Sequence, residues 1–325
     1  DAEQGIVYRE PGDEIYTKYR DLDEAWKAMH NAADVKPETR TRCGEPVHIH
    51  ANINLLSDLK PARRFKAEGV GLYRSEFPFI VRNDFPTEEE QYVIYKKLVD
   101  QMEGRPVTFR TLDIGGDKML SYYSNVTEAN PFLGMRAIRF SFQNKDIFAQ
   151  QLRAFLRAGA DAHTRIMFPL ISSVDDFAAA REIVYDCMEE LDHDGIPFSR
   201  DTRLGVMMEL PSAVEVADEL AQEADFLSIG SNDLIQYMLA VDRTNEQVSS
   251  LYLAHHPAIL RAIHRIVSAA RTHGKDVSIC GDISADPRML PFLLGIGLRS
   301  FSIDSVNAPA LQRMVNATTL ADAEA

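Results

Sequence analysis

From residue 48 onward, short runs of apolar residues alternate with longer amphipathic stretches, and Gly, Pro, Asp or Asn bounds each run. Near-continuous apolar runs of this length are typical of strands in a parallel sheet covered by helices on its faces. Eight runs are predicted to be strands: residues 48–54, 69–74, 106–113, 164–171, 203–210, 224–230, 276–281 and 298–304. Helical spacing between them predicts helices over residues 87–102, 146–158, 174–192, 212–223 and 257–273.

Eight strand–helix units in this length indicate a (β/α)8 barrel of the TIM type rather than an open doubly wound sheet. No GxGxxG motif follows any of the runs, which removes the usual argument for a dinucleotide-binding fold. Residues 1–40 are polar, with a helical rhythm over 15–33, and are expected to be a helical lead-in or the remnant of a linker. We expect residues 41–325 to form the barrel domain.

Composition narrows the class of protein. The 325 residues are 45% hydrophobic and 26% charged, a globular balance, and the formal net charge of −14 argues against nucleic acid or an anionic membrane as a partner. Three separated cysteines without a CxxC pair favour a reduced compartment and argue against disulfides or structural zinc. Without a long apolar segment or a signal-peptide pattern, the chain is expected to be cytoplasmic.

Polar side chains occur where the predicted strands end. In a barrel, the carboxyl ends of all strands meet at one rim, so these residues are expected to converge there. The residues at strand ends are Arg74, Arg110, Glu209, Asn232, Asp233 and Cys280, and Arg243 follows Asp233 after one short turn and helix.

This set of residue types indicates a small anionic ligand. Arginine donates paired hydrogen bonds to phosphate and carboxylate, and several arginines without compensation would be costly to bury. Two carboxylates suit Mg²⁺, and a thiol beside them could act as an acid or base. Each residue alone also has a simpler interpretation: a strand-end arginine as a surface ion-pair partner, Glu209 as a helix-start carboxylate, Cys280 as a small buried hydrophobe.

Several ordered motifs go further. GVGLYRSEF, FRTLDIGGDK, EANPFLGMRAIR, RIMFPLI, GVMMELPSA, SIGSNDLIQYMLAVDR and CGD occur in this order. From about Ala51 to Val315, the chain resembles the PEP-binding domain of phosphoenolpyruvate-protein phosphotransferase, Enzyme I of the bacterial sugar phosphotransferase system.

The resemblance implies a PEP-utilising (β/α)8 barrel that binds phosphoenolpyruvate (PEP) and Mg²⁺, and a homodimer. It implies transfer of the phosphoryl group to a histidine on a separate N-terminal domain, then to a histidine-containing carrier protein, with release of pyruvate. By motif, it implies that Arg74 and Arg110 hold the phosphate, that Arg243 and Arg136 are further anion contacts, that Glu209 and Asp233 ligate Mg²⁺, that Asn232 and Asp233 contact PEP, and that Cys280 protonates the methylene carbon.

Two departures from the family pattern matter. The family usually has CGE where this chain has Cys280-Gly281-Asp282, which puts the reach of that carboxylate in doubt. None of the nine histidines lies in a GGxTSHxAI-type stretch, and the pair His255-His256 is expected to be a polar helix entry. We therefore expect this to be the C-terminal portion of a longer protein, which binds PEP but does not complete phosphotransfer alone.

Three alternatives stay open. A PEP synthase or pyruvate phosphate dikinase fragment belongs to the same superfamily, although the IGGDK run favours the phosphotransferase. A non-catalytic module that senses PEP, within the nitrogen-related branch of the system, is compatible with the ELPSA and CGD motifs. An aldolase-type pyruvate lyase is a weaker alternative, because it needs a base that the sequence does not place.

Overall fold

Eight parallel strands close into a barrel in the computed structural model of the chain, because the first of them pairs with both the second and the last. The structure describes residues 5–29, 35–115, 122–123 and 128–324, with the backbone alone at 25–29 and 324. The strands are β1 (Thr39–Arg40), β2 (Pro46–Ile53), β3 (Val70–Arg74), β4 (Val107–Arg110), β5 (Thr164–Phe168), β6 (Arg203–Met208), β7 (Phe226–Gly230), β8 (Asp276–Cys280) and β9 (Ser300–Ile303). Strand β1 pairs antiparallel with β2, outside the ring of β2 to β9. The predicted (β/α)8 barrel and its eight strands are confirmed.

Helices follow the barrel strands, as the alternating pattern predicts. They are α1 (Asp13–Met29), α2 (Leu59–Arg64), α3 (Phe77–Ile80), α4 (Glu88–Gln101), α5 (Ile138–Gln143), α6 (Lys145–Ala158), α7 (Val174–His193), α8 (Pro211–Glu215), α9 (Ala217–Glu223), α10 (Ser231–Leu239), α11 (Pro257–Thr272), α12 (Leu290–Gly295), α13 (Ala308–Ala317) and α14 (Leu320–Glu324). The single helix predicted over 212–223 is wrong in one respect. Val216 leaves the helical conformation (φ −107°, ψ 32°), and this β-branched residue separates α8 from α9.

Side-chain caps begin several of these helices. At α4, Thr87 Oγ1 accepts from the backbone NH of Glu90, and the Glu90 carboxylate accepts from the NH of Thr87, which is a capping box. Ser173 caps α7 in the same position. At α11, Nδ1 of His256 accepts from the NH of Ala258 at 3.1 Å, so the interpretation of the histidine pair as a helix entry is confirmed.

The core has two parts. The larger lies between the strands and the surrounding helices, where Phe109 of β4 stacks on Phe155 of α6 at 4.5 Å between ring centroids. The smaller is a layer of five buried side chains from the barrel strands, Leu72, Met167, Met207, Phe226 and Cys280. This interior layer has a polar cavity on each side, one at the carboxyl ends and one at the amino ends of the strands.

The amino-terminal segment is only partly described. Helix α1 lies within the stretch where the sequence predicts a helical lead-in, while residues 1–4 and 30–34 of that stretch fall outside the described residues. Gly116, Asp117 and Lys118 of the IGGDK run also fall outside them. Among the helices that the structure describes, none is long and apolar enough to cross a bilayer.

Candidate active site

The cavity at the carboxyl ends of the barrel strands has a volume of about 390 Å³. The sequence-predicted site residues all line it: Arg74, Arg110, Arg136, Glu209, Asn232, Asp233, Arg243 and Cys280. Asn54, Glu76 and Asp113 line it as well. The structure thus brings together every residue that the sequence singles out, while the role of each residue stays a prediction.

Strand ends position these side chains. Arg74, Arg110 and Cys280 are the last residues of β3, β4 and β8, and Glu209 follows β6 directly. Asn232 and Asp233 lie in the first turn of α10, which starts without a loop after β7. Since the strands are parallel neighbours around a closed barrel, their carboxyl ends place these residues at one rim.

Arg110 is buried and held on two sides by carboxylates. Its Nη2 donates to Oε1 of Glu76, and its Nη1 lies 3.2 Å from Oδ2 of Asp113. Its Nε is buried without a hydrogen-bond partner among the described residues. A guanidinium fixed in this way is preorganised, because its geometry does not depend on a ligand.

Arg136 bridges two carboxylates from different parts of the barrel. Its Nε and Nη2 donate to the two oxygens of Asp113 at 3.0 and 3.2 Å, and Nη2 also donates to Oδ2 of Asp233 at 2.9 Å. The hydroxyl of Tyr237 accepts from its Nη1 at 2.7 Å. Asp233 in turn pairs with Arg243 at 3.0 Å, so the helix after β7 does fold back toward the same place.

The arginines are therefore compensated, contrary to the expectation of uncompensated positive charge. Four arginines line the cavity together with four carboxylates, Glu76, Asp113, Glu209 and Asp233. Burial of a charge is tolerated when it is paired, which is the reason for this balance. Arg74 differs, because its Nη1 donates to the amide oxygen of Asn54 at 3.1 Å and it has no ion pair within the described part of the chain.

Sequence reasoning missed Glu76 and Asp113. Both follow a strand-end arginine by two or three positions, and that spacing was the available signal. It also missed Tyr237, which donates to the carbonyl of Phe132 at 2.6 Å while it accepts from Arg136. A tyrosine at a helical apolar position gives no signal that its hydroxyl orients an arginine.

Glu209 is the most perturbed carboxylate of the cavity. Burial, together with the nearby charges of Asp233 and Asp113, raises its pKa to about 8, against the opposing effect of Arg136 and Arg110. The backbone NH of Leu170 donates to it at 2.7 Å. Gly230 leaves room for it, since a Cβ there would lie 2.6 Å from Oε2 of Glu209.

This crowding fits a divalent cation. Glu209 and Asp233 supply hard oxygen donors, and a bound cation would relieve the repulsion that raises the pKa of Glu209. Among the residues with described side chains, no group of three or more His, Cys, Asp and Glu could hold a metal by itself. Two carboxylates suit Mg²⁺, which takes its remaining ligands from water and phosphate oxygens.

Cys280 carries a protonated thiol at neutral pH. Burial raises its pKa to about 11, although the charges of Arg74 and Arg110 oppose the shift. Its Sγ lies 3.4 Å from the carbonyl oxygen of Ile229 and donates to it. A thiol that retains its proton beside two arginines can donate that proton, and the arginines stabilise the thiolate that remains.

The loop after β8 requires glycine. Gly281 has φ +88°, and a Cβ there would lie 2.3 Å from Oγ of Ser231 and 2.5 Å from Oδ1 of Asn232. The same Asn232 oxygen accepts from the backbone NH of Asp282 at 2.8 Å. The contact of Asp282 with the site therefore comes from its backbone, while the residue itself is exposed.

Comparisons with known proteins agree on the kind of domain. The family model described as "PEP-utilising enzyme, PEP-binding domain" matches residues 28–320. Proteins named phosphoenolpyruvate-protein phosphotransferase are similar to the chain: that of Priestia megaterium is 42% identical over 100% of this chain and 57% of its own length, and that of Mycoplasma capricolum is 48% identical over 80% and 45%. The chain spans about half the length of the curated relatives it matches.

A solved structure shares the fold at low identity. A citrate lyase from Burkholderia xenovorans LB400 superposes with a TM-score of 0.56 and 18% identity, covering 82% of this chain and 76% of that chain. At this identity the likeness concerns the barrel alone, because many unrelated chemistries use it.

Proposed function

Because the chain belongs to the PEP-utilising enzymes and forms their PEP-binding domain, we propose that it holds PEP for a phosphoenolpyruvate-protein phosphotransferase. In this reaction the phosphoryl group passes to a histidine of another domain, and pyruvate is released. One observation carries the proposal: eight side chains that the sequence assigns to PEP and Mg²⁺ line a single cavity at the carboxyl end of the barrel.

The arginines bind the anionic groups of PEP. Arg74 and Arg110 contact the phosphate, and Arg136 and Arg243 provide further positive charge on the other side of Asp233. Carboxylates already fix Arg110 and Arg136, so little reorganisation is needed when charge develops on the transferring group. Asn232 and Asp233 face the same cavity and complete the contacts.

Glu209 and Asp233 are the residues that would hold Mg²⁺. When bound, the ion supplies positive charge for the phosphate oxygens and the enolate oxygen. For their part, the two residues offer buried oxygens on neighbouring strands, and the backbone NH of Leu170 fixes the orientation of Glu209.

Cys280 supplies the proton that completes the reaction. Cleavage of the bond between phosphorus and the bridging oxygen leaves the electron pair on that oxygen, as the enolate of pyruvate. The Cys280 thiol then gives its proton to the methylene carbon, which becomes the methyl group of pyruvate. Arg74 and Arg110 stabilise the thiolate until water returns the proton.

The acceptor histidine is proposed to lie outside this chain. No histidine with a described position lines the carboxyl-end cavity. The relatives are about twice as long as the matched segment, which leaves room for an acceptor domain. A histidine-containing carrier protein, a homodimer and a cytoplasmic location follow from the same resemblance and belong to the proposal.

Calorimetric titration with PEP tests this function. We expect saturable binding that strengthens with Mg²⁺ and weakens about tenfold or more in Arg74→Gln, because a charge-assisted contact contributes about 1.5–3 kcal/mol. Arg203→Gln is the matched control, since Arg203 lies at the amino end of β6 and pairs with Asp276. Binding that ignores both Mg²⁺ and the loss of Arg74 would overturn the site.

The dikinase fragment and the PEP sensor make different predictions. A dikinase requires that the histidine domain be phosphorylated from ATP or its equivalent, which a transfer assay with the whole protein measures. A sensor requires no protonation of pyruvate enolate, so exchange of the pyruvate methyl protons in D₂O distinguishes it from the enzyme. The names of the relatives favour the phosphotransferase.

A further inference from the structure

A second cavity, of about 470 Å³, lies at the amino ends of the barrel strands. None of the residues assigned to PEP or Mg²⁺ lines it. The charged or titratable residues that line it are His48, His50, Arg165, Arg271, Lys275, Asp276 and Arg299. A volume of this size accommodates a small molecule.

Positive charge dominates the cavity, although the whole protein has a net charge of −14. Arg165, Arg271, Lys275 and Arg299 face it, against the single carboxylate of Asp276. Three ion pairs add neighbours just outside the lining: Arg203 pairs with Asp276, Glu68 pairs with His48, and Glu45 lies 3.8 Å from Arg299. Even with these neighbours, five cations stand against three carboxylates.

The ends of helices explain two of the cations. Nη1 of Arg299 donates to the carbonyls of Leu294 and Leu298 at 2.7 and 2.9 Å, and Nζ of Lys275 lies 3.5 Å from the carbonyl of Gln222. Cations are favoured at such carbonyls, so these two are accounted for without a ligand.

Arg165 and Arg271 are not explained in this way. Arg165 belongs to strand β5, lies over the ring of Phe226 at 5.3 Å from its centroid, and shares Asp276 with Arg203. Arg271 is exposed, with no ion pair or hydrogen bond from its side chain among the described residues. The cavity therefore retains positive charge that the protein itself does not neutralise.

The floor of the cavity is polar and open. Nδ1 of His50 lies 3.3 Å from Oγ of Ser300, and Ser278 donates to Ser228 at 3.1 Å. Gly71 keeps space here, because a Cβ would lie 2.4 Å from Oγ of Ser302. Burial, together with the positive charges of His48 and Arg165, lowers the pKa of His50 to about 4, against the opposing effect of Asp276.

The interior layer separates this cavity from the candidate active site. Phe226 forms part of one wall, while Leu72, Met207 and Cys280 line the cavity on the other side. Five packed side chains leave no route for a small molecule through the barrel. The amino-end cavity is therefore neither an entrance to the site of PEP nor an extension of it.

We propose that the amino-end cavity is a binding site for a small polyanion that carries phosphate or carboxylate groups. Arg165 and Arg271 provide charged hydrogen-bond donors, Lys275 and Arg299 add positive charge, and His50 with the neighbouring serines provides neutral polar contacts. Both oxyanion groups accept hydrogen bonds from guanidinium in the same geometry. The proposal does not depend on the proposed function.

Histidine ring signals in NMR spectra test this site directly. His48 and His50 line the amino-end cavity, whereas no described histidine lines the carboxyl-end cavity. Pyrophosphate and citrate are titrated separately into the chain at constant ionic strength, without Mg²⁺, after His48→Gln and His50→Gln variants have assigned the signals. Saturable shifts of both signals are expected below about 10 mM, where a site with a Kd of about 1 mM is nearly filled.

Two arginines of the same helix provide the matched pair. Arg271→Gln should weaken binding about tenfold, whereas Arg261→Gln, which removes the same charge at the other end of α11, should leave it within about twofold. The stronger of the two probes identifies phosphate or carboxylate as the preferred group. Shifts that fail to saturate, that sodium chloride reproduces, or that persist unchanged in Arg271→Gln would overturn the proposal.

Discussion

The two ends of the barrel hold cavities of similar volume that differ in how they hold their arginines. At the carboxyl end, Arg110 and Arg136 are buried between carboxylates. At the amino end, Arg271 is exposed, and Arg165 shares one exposed carboxylate with Arg203. Fixed charges suit a reaction, because they need no reorganisation as charge develops, whereas loosely placed cations suit reversible binding.

The thiol supports this distinction. Cys280 belongs to the interior layer but faces the carboxyl-end cavity, where Arg74 and Arg110 act on it. At the amino end, the titratable group nearest the interior is His50, which is neutral at physiological pH. The two ends therefore differ in which group can exchange a proton with a ligand, and the following substitutions address that difference.

Cys280→Ser should have the largest effect. Exchange of pyruvate methyl protons in D₂O, with Mg²⁺ present, is expected to fall by about 10²–10⁴-fold, because the general acid–base group is lost. In the unsubstituted chain, the exchange rate should rise with pH toward about 11, since the thiolate removes the methyl proton and its pKa is raised to that value. Proton NMR of the methyl signal measures both effects.

Cys187→Ser provides the control, because this buried cysteine lies in α7 and is absent from both cavities. Its exchange rate should equal that of the unsubstituted chain. Equal exchange in Cys280→Ser would remove the chemical difference between the two ends and leave a PEP-binding module without this proton donor.

Arg136→Met should have the next largest effect, on stability. It removes a cation from between Asp113 and Asp233, both buried, so the free energy of unfolding is expected to fall by about 3 kcal/mol. Urea unfolding measures the change. Arg271→Gln, at the exposed amino-end position, should stay within about 0.5 kcal/mol.

A second substitution at the same cluster separates charge from packing. Adding Asp113→Asn to Arg136→Met should restore part of the lost stability, because it removes one of the carboxylates left with fewer partners. If Arg136→Met and Arg271→Gln cost the same, the view that only the carboxyl-end arginines are locked into the fold is wrong.

The strands and the membership of the rim follow from the sequence because each depends on local order. Apolar runs mark the eight strands, and Arg74, Arg110 and Cys280 end three of them. Their partners do not follow in this way. Arg136 and Asp233 are 97 positions apart, and only the closed barrel places them 2.9 Å from each other.

The amino-end cavity was not predicted, for a related reason. His48, Arg165 and Ser300 lie at or near the starts of apolar runs, where a polar residue is ordinarily taken as a strand boundary. Arg271 and Lys275 flank the end of a helix, where cations are common in any protein. No single run contains enough of these residues to indicate a site, because they converge only when the barrel closes.

His50 gives a smaller effect that is confined to the amino end. Its folded-state pKa of about 4 lies below the unfolded value of about 6.5, so only the unfolded chain gains this proton between those pH values. Stability from this source is therefore complete above pH 6.5 and is lost as the pH falls toward 4, by at most about 1.4 kcal/mol per pH unit.

Urea unfolding of the chain and of His50→Gln at several pH values measures this contribution as the difference between them. Pyrophosphate or citrate should reduce the difference, because a bound polyanion favours the protonated imidazole of His50. A difference that does not change with pH would show that the site of His50 tolerates its charge.

Asp282→Glu should have the smallest effect, although it restores the commoner CGE sequence beside Cys280. The backbone NH of Asp282 makes the contact with Asn232, and its side chain is exposed, so one more methylene changes neither the loop nor the thiol. We expect the affinity for PEP and the rate of methyl exchange to stay within about twofold, consistent with the small effects of surface substitutions. Gly281→Ala is the contrasting change, because its positive φ and the nearby Ser231 and Asn232 oxygens exclude a Cβ. If Asp282→Glu instead raised the exchange rate by about tenfold, the carboxylate would reach the thiol when ligand is bound, and the loop after β8 would belong to the reacting groups rather than to their scaffold.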